Sequence, residues 1–310
     1  MNIKHFKYLR VIIITMVIVS TGCEDSNEKI EEKIANTSFI PFKYGKFEYN
    51  DYEPLSDKPI TVYTYMPDYT NDDIPVIFVM HGQNRDASNY CGDWSTSAEK
   101  YKMLIVCPEI NELYYPNSQY YQQGGMFIDD KFTEPEKWTF NLIENIFSTI
   151  QDSNVTKAKT YGIYGHSGGG QFVHRFALFS EPKNASIIIP SNSGWYTLAH
   201  YKETFPYGLN NSPLNENILK EKFLLPLVIL LGENDTDPNS SSLRKTDEAM
   251  RQGPHRYARG KYFYTTAKSK AEELSLQFNW KIFTVPNVGH SNAGMAPSAA
   301  EQFYKTLSNN

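Results

Sequence analysis

The stretch Lys159-Thr-Tyr-Gly-Ile-Tyr-Gly-His-Ser-Gly-Gly-Gly170 constrains this chain more than any other. It reads as a short apolar strand, Tyr161 to Tyr164, then a turn too tight for most side chains, then a helix from Gln171 to Phe179. Inside it lies Gly-x-Ser-x-Gly, with Gly165, Ser167 and Gly169 in the fixed places. A nucleophile on a sharp strand-to-helix turn stands exposed above a sheet on crowded, strained backbone. Glycine two residues before and two after removes the Cβ atoms that would clash. The following helix aims its free N–H groups and positive dipole end at the reacting oxygen. Alone, the pentapeptide is weak evidence, arising by chance in roughly one chain in ten of this length. Its position and the residues downstream raise its weight.

Short buried strands alternate with helices along the rest of the chain. Ile60 to Met66 alternates and is rich in β-branched and aromatic residues. Val76 to Met80, Met103 to Val106, Ala185 to Pro190, Pro226 to Leu231 and Trp280 to Val285 read as further strands, the central ones apolar on both faces. Helices are expected over Asn89–Tyr101, from Glu134 through Ile150, over Ser241–Gln252, Tyr262–Leu274 and Pro297–Leu307. This alternation predicts an α/β fold with a mostly parallel sheet covered on both faces and its active site at the carboxyl ends of the strands. Two long insertions, 109–133 and 195–222, stand between elements. The first is rich in tyrosine (Tyr114, Tyr115, Tyr120, Tyr121), which suits either a substrate groove or loops sealed against the core.

A serine hydroxyl needs a base to take its proton. His290 follows the last strand in Val288-Gly-His-Ser-Asn and is the expected base. The base needs a carboxylate to fix its tautomer and stabilise the imidazolium. Asp235, in Gly232-Glu-Asn-Asp-Thr-Asp237 after the strand ending at Leu231, is the expected acid, with Asp237 as the alternative. The oxyanion donors are expected to be the backbone amides of Gly168 and of Gln83 in the loop His81-Gly-Gln-Asn-Arg85. His81 and Arg85 read as braces for that loop. A single Asp-x-Asp is poor evidence for calcium, and neither metal nor cofactor is expected.

These motifs, in the order Ser, Asp, His, resemble an α/β-hydrolase, and most resemble exported esterases of the polyhydroxybutyrate depolymerase and feruloyl esterase type. The resemblance covers residues 55 to 308. It implies an α/β-hydrolase fold without a large cap domain and a metal-independent serine esterase working through an acyl-enzyme. The expected substrate is a small-molecule or polysaccharide ester. Two other readings stay open: a serine peptidase on the same fold, and a non-catalytic glycan-binding surface protein.

The N-terminus carries an export signal. Lys4, Lys7 and Arg10 precede an apolar run, Val11 to Val19, too short for a comfortable transmembrane span. Ser20-Thr-Gly-Cys23 resembles the bacterial lipobox, implying a signal peptide over 1–22, lipidation of Cys23 and a place in the cell envelope at the outer membrane. The alternative is a plain secretory signal with Cys23 incidental. Residues 23–37 read as a polar tether, leaving 38–310 as the hydrolase domain. An exported compartment permits a disulfide between Cys91 and Cys107. With a net charge of −5 and no long basic run, the chain has no electrostatic footprint for nucleic acid.

Overall fold

The structure, a computed structural model, describes residues 39–68 and 73–307. Among the described residues ten strands run in chain order: β1 (Lys43–Tyr49), β2 (Ile60–Met66), β3 (Val76–Met80), β4 (Leu104–Glu109), β5 (Phe127–Ile128), β6 (Lys131–Phe132), β7 (Tyr161–His166), β8 (Ala185–Ser191), β9 (Val228–Gly232) and β10 (Lys281–Val285). Eight form one sheet in the order β1-β2-β4-β3-β7-β8-β9-β10, and β5-β6 is a separate small hairpin. β1 and β2 pair antiparallel, as do β2 and β4. From β4 through β3, β7, β8 and β9 to β10 every pairing is parallel. This is the α/β-hydrolase architecture.

Alternation along the central strands splits the core into two layers, because successive side chains leave a strand on opposite faces. Val76, Phe78 and Met80 of β3 pack into one layer, with the helices Asn141–Asp152, Gly168–Phe179 and Arg256–Glu273. Ile77 and Val79 point into the other, with Trp94, Met295, Ala299 and Phe303 from the helices on that side. Every residue of β3, β7 and β9 is buried, as strands covered on both faces require. The parallel order puts the carboxyl ends of β3, β7, β8, β9 and β10 along one edge.

Several helix boundaries differ from the sequence reading. The helix expected over Asn89–Tyr101 is two, Ala87–Asp93 and Ser95–Tyr101. They part at Trp94, whose ring is fully buried against Tyr164 and Phe303. After Glu134 there is one 3-10 turn, and the helix proper begins at Asn141. Only Asp247–Gln252 of the segment Ser241–Gln252 is helical. The helix expected from Tyr262 starts at Arg256, capped where the His255 ring accepts from the Ala258 amide at 3.2 Å. Its first turn was hidden because Arg256 and Arg259, both buried, occupy core-facing positions that an apolar pattern overlooks. The final helix begins at Asn292, and Pro297 stands inside it.

The tyrosine-rich insertion is ordered. Tyr115 and Tyr121 are buried in the core and Tyr114 and Tyr120 pack against it, so these four rings seal the loop. Cys91 and Cys107 are both buried, free thiols, and burial beside Cys91 pushes the Cys107 thiol well up. Among the described residues no helix is long and apolar enough to cross a membrane. The signal segment, Cys23 and the tether lie outside the described residues.

Three histidines are buried and uncharged. Burial lowers His81 to about 3 and holds His166 and His174 well below the ordinary imidazole value. Below pH 6.5 the unfolded chain binds protons that the folded chain refuses, so their contribution is full above pH 6.5 and is lost as pH falls below it. His81 contributes a slope of about 1.4 kcal/mol per pH unit between pH 6.5 and its folded value of about 3. Denaturant unfolding of the domain from pH 7 to 4.5 should show stability falling with pH. The slope should shrink by about one proton in His81→Gln.

Candidate active site

Ser167 sits at the junction of β7 and the helix Gly168–Phe179, with φ 57° and ψ −112°. This backbone region costs a side-chain-bearing residue about 1–3 kcal/mol. Two contacts hold it there: the Ser167 amide donates to the Ser191 carbonyl at 3.0 Å, and the Ser167 carbonyl accepts from the Gln171 amide at 3.1 Å. The turn closes only because the flanking residues lack side chains. A Cβ on Gly169 would lie 2.1 Å from the Met80 carbonyl oxygen, which as backbone between two paired strands cannot yield.

The three side chains expected to cooperate form one line. His290 Nε2 is 3.0 Å from Ser167 Oγ, and His290 Nδ1 is 2.7 Å from Asp235 Oδ2. The His290 side chain is 27% exposed and Asp235 4%, so the imidazole is open to substrate while its carboxylate is shielded. In this geometry Nδ1–H donates to Asp235 and leaves Nε2 free to accept the serine proton. Asp237, the alternative acid, is exposed, and its Oδ1 accepts from the Asn239 amide at 2.8 Å within its own turn. The structure therefore brings Asp235, not Asp237, to His290.

Asp235 is held from three further sides. Asn192 Nδ2 donates to Oδ2 at 2.8 Å, while Asn192 Oδ1 accepts from the Gly232 amide at 3.0 Å. The buried Arg256 guanidinium lies 3.7 Å from Oδ1 and is itself tied to Ser240 and Ser242. The Asp235 carbonyl accepts from the Tyr257 amide at 3.1 Å. The sequence reading assigned no role to Asn192 or Arg256. Asn192 carried a signal in standing directly after β8 on the active edge. Arg256 carried none, lying 21 residues beyond Asp235 at the start of a helix.

Under His290 lies His166, ring centroids 4.6 Å apart. Its Nδ1 is 3.1 Å from the Tyr90 hydroxyl, and burial keeps it neutral. His166 therefore packs against the exposed imidazole without competing for the Ser167 proton.

The amides expected to receive an oxyanion meet beside Ser167. A Cβ on Gly168 would lie 2.8 Å from the Gln83 amide nitrogen. Among the described residues neither amide donates to a protein acceptor. The loop that carries Gln83 is braced as expected. His81 Nε2 accepts from the Ile110 amide at 3.1 Å. Arg85 donates to the carbonyls of Ile110, Tyr115 and Asn117. Among the described residues no cluster of His, Cys, Asp and Glu could hold a metal ion.

A nucleophile elbow, a Ser–His–Asp line and two free amides at one edge of a mostly parallel sheet make up the site of an α/β-hydrolase. The chain belongs to the α/β-hydrolase serine hydrolases of the esterase and depolymerase type. It is 36% identical to a poly(aspartic acid) hydrolase from Sphingomonas sp. KT-1, over 84% of this chain and 97% of that one, with a TM-score of 0.80. It is 30% identical to a poly(3-hydroxybutyrate) depolymerase from Bordetella parapertussis, over 87% and 92%, with a TM-score of 0.82. An S-formylglutathione hydrolase from Staphylococcus aureus, 12% identical over 85% of this chain and 98% of that one with a TM-score of 0.55, shares the fold. No protein-family model matches the chain, and no curated protein does.

Gly168→Ala would set a Cβ 2.8 Å from the Gln83 amide nitrogen and 3.1 Å from the Gly82 carbonyl carbon, so the backbone of the Gln83 loop must move. Turnover should fall by roughly 10²-fold, the scale of losing one oxyanion donor, while the melting temperature moves by only a few degrees. Steady-state kinetics beside a melting curve checks both.

Proposed function

We propose that this chain is a carboxylic ester hydrolase in which Ser167 is the nucleophile, His290 the general base and acid, and Asp235 the carboxylate that orients His290. The observation that carries the reading is the unbroken line from Ser167 Oγ through His290 to Asp235, 3.0 and 2.7 Å, set on the strained turn. As Oγ attacks the ester carbonyl, its proton passes to Nε2 and the carbonyl π pair moves onto oxygen, held by the Gly168 and Gln83 amides. The oxyanion collapses, His290 returns the proton to the departing alcohol, and an acyl-enzyme remains. Water then repeats the sequence and releases the acid.

The substrate we favour is an ester of a polymer, either a polyester chain or an acyl or feruloyl group on a polysaccharide. The similarity to a polyester depolymerase supports a polymeric ester. A second reading, cleavage of amide bonds in a polymer, is favoured by the similarity to a poly(aspartic acid) hydrolase, since the same machinery attacks both bonds. We also propose that the chain is an exported lipoprotein anchored through Cys23, on the lipobox-like Ser20-Thr-Gly-Cys23.

The test is a panel of p-nitrophenyl acetate and butyrate, methyl ferulate, acetylated xylan, a 3-hydroxybutyrate oligomer and poly(aspartic acid), run with the domain from residue 24 onward. Ester turnover should fall at least ~10³-fold in Ser167→Ala. Asp235→Asn should cost on the order of 10³–10⁴ in kcat and Asp237→Asn less than about twofold. Turnover retained in Ser167→Ala would refute the assignment. Cleavage of poly(aspartic acid) alone would turn the reading to amide bonds. For the anchor, the full chain should fractionate with membranes and Cys23→Ala should appear in the soluble fraction. A variant still in the membrane would refute lipidation.

A further inference from the structure

The site contains a polar side chain that its protein surroundings leave unemployed. Gln122 belongs to the tyrosine-rich insertion and is 7% exposed. Its Oε1 is buried with no hydrogen-bond partner among the described residues. Yet it is not loosely held. The Gln122 carbonyl accepts from the buried Arg175 guanidinium at 2.9 Å. The preceding Tyr121 is held by three contacts: its hydroxyl donates to the His81 carbonyl at 2.7 Å, its ring stacks on Phe172 with centroids 5.4 Å apart, and the Arg85 guanidinium lies over the ring at 4.6 Å.

The position of that amide says which ligand atom it meets. A Cβ on Gly168 would have the Gln83 amide nitrogen 2.8 Å away and Gln122 Nε2 3.2 Å away. The Gln83 amide nitrogen and Gln122 Nε2 therefore both lie close against the Cα of Gly168, the residue directly after Ser167. We infer that the side-chain amide of Gln122 is a third donor to the oxyanion, beside the amides of Gly168 and Gln83. The inference rests on the serine-hydrolase reading above. When Oγ bonds to the carbonyl carbon, the displaced electron pair resides on the carbonyl oxygen, and Nε2–H strengthens its hydrogen bond as that charge grows. Burial removes the competing water that would weaken the bond, and the clamp on Tyr121 means that little reorganisation is needed during the reaction. The tyrosine-rich loop, which in the sequence suits either a substrate groove or a seal against the core, serves here as a rigid arm that delivers one amide.

The experiment compares Gln122→Met, which keeps the side-chain volume and removes the donor, with Gln122→Ala and the unaltered domain. Titration of Ser167 with an alkyl fluorophosphonate normalises each rate to folded enzyme. On p-nitrophenyl butyrate, kcat should fall about 10- to 100-fold in both variants with KM within twofold. This is at or below the loss expected for a primary donor. An alkyl trifluoromethyl ketone, which forms a hemiketal oxyanion on Ser167, should lose affinity by a factor matching the fall in kcat/KM. Unchanged kcat and ketone affinity in both variants would overturn the inference, as would a raised KM with kcat intact. Ser167→Ala separates the two levels. If it is inactive while Gln122→Met is unimpaired, only the role of Gln122 fails; if it remains active, the serine-hydrolase reading itself fails.

Discussion

Everything at the site depends on one left-handed residue. Ser167 must hold φ 57° at the end of a fully buried strand, and the surrounding structure has to outweigh the cost. It does so by making the turn the meeting point of the central sheet and its longest-buried helix. All twelve residues of Gly168–Phe179 are buried, so relaxing the turn would drag that helix out of the core. Packing of that helix reinforces the two hydrogen bonds at Ser167, and the serine hydroxyl is thereby kept above the sheet edge.

The line from Ser167 through His290 to Asp235 is kept in register by buried charge and polarity around Asp235. Asp235 is a shielded carboxylate, which is tolerable only with partners. His290, Asn192 and Arg256 supply them from three different strand ends or helices. Arg175 and Arg85 do comparable work for the loops, binding carbonyls instead of carboxylates. Burial weakens the proton affinity of Arg175 to about 9, still leaving it charged at neutral pH. The neutral His166 beneath His290 adds contact without charge.

Much of this was legible in the chain. The apolar runs Val76–Met80 and Leu104–Val106, the glycines about Ser167 and the late Gly-His290 carry their meaning locally, since strand periodicity and turn sterics act over a few residues. Ser167, Asp235 and His290 could be named because each stands within a few residues of the carboxyl end of a strand, β7, β9 and β10. Choosing Asp235 over Asp237 was a preference until the fold showed which carboxylate is buried against His290. Helix starts were misplaced where arginines face the core, at Arg256, or where a proline stands inside a helix, at Pro297.

The sequence by itself determined the alternation of buried strands and helices, the elbow and the order of the reacting residues, because those follow from short-range geometry. Tertiary structure alone decided which distant side chains close around them: Asn192 and Arg256 on Asp235, His166 under His290, and Gln122 beside Gly168. These pairings span tens of residues and arise from how loops return to the sheet edge. The tyrosines of the insertion show the same division. Their number is written in the chain, but only the fold decides that they seal a loop, since burial depends on which surfaces the rest of the molecule brings against them.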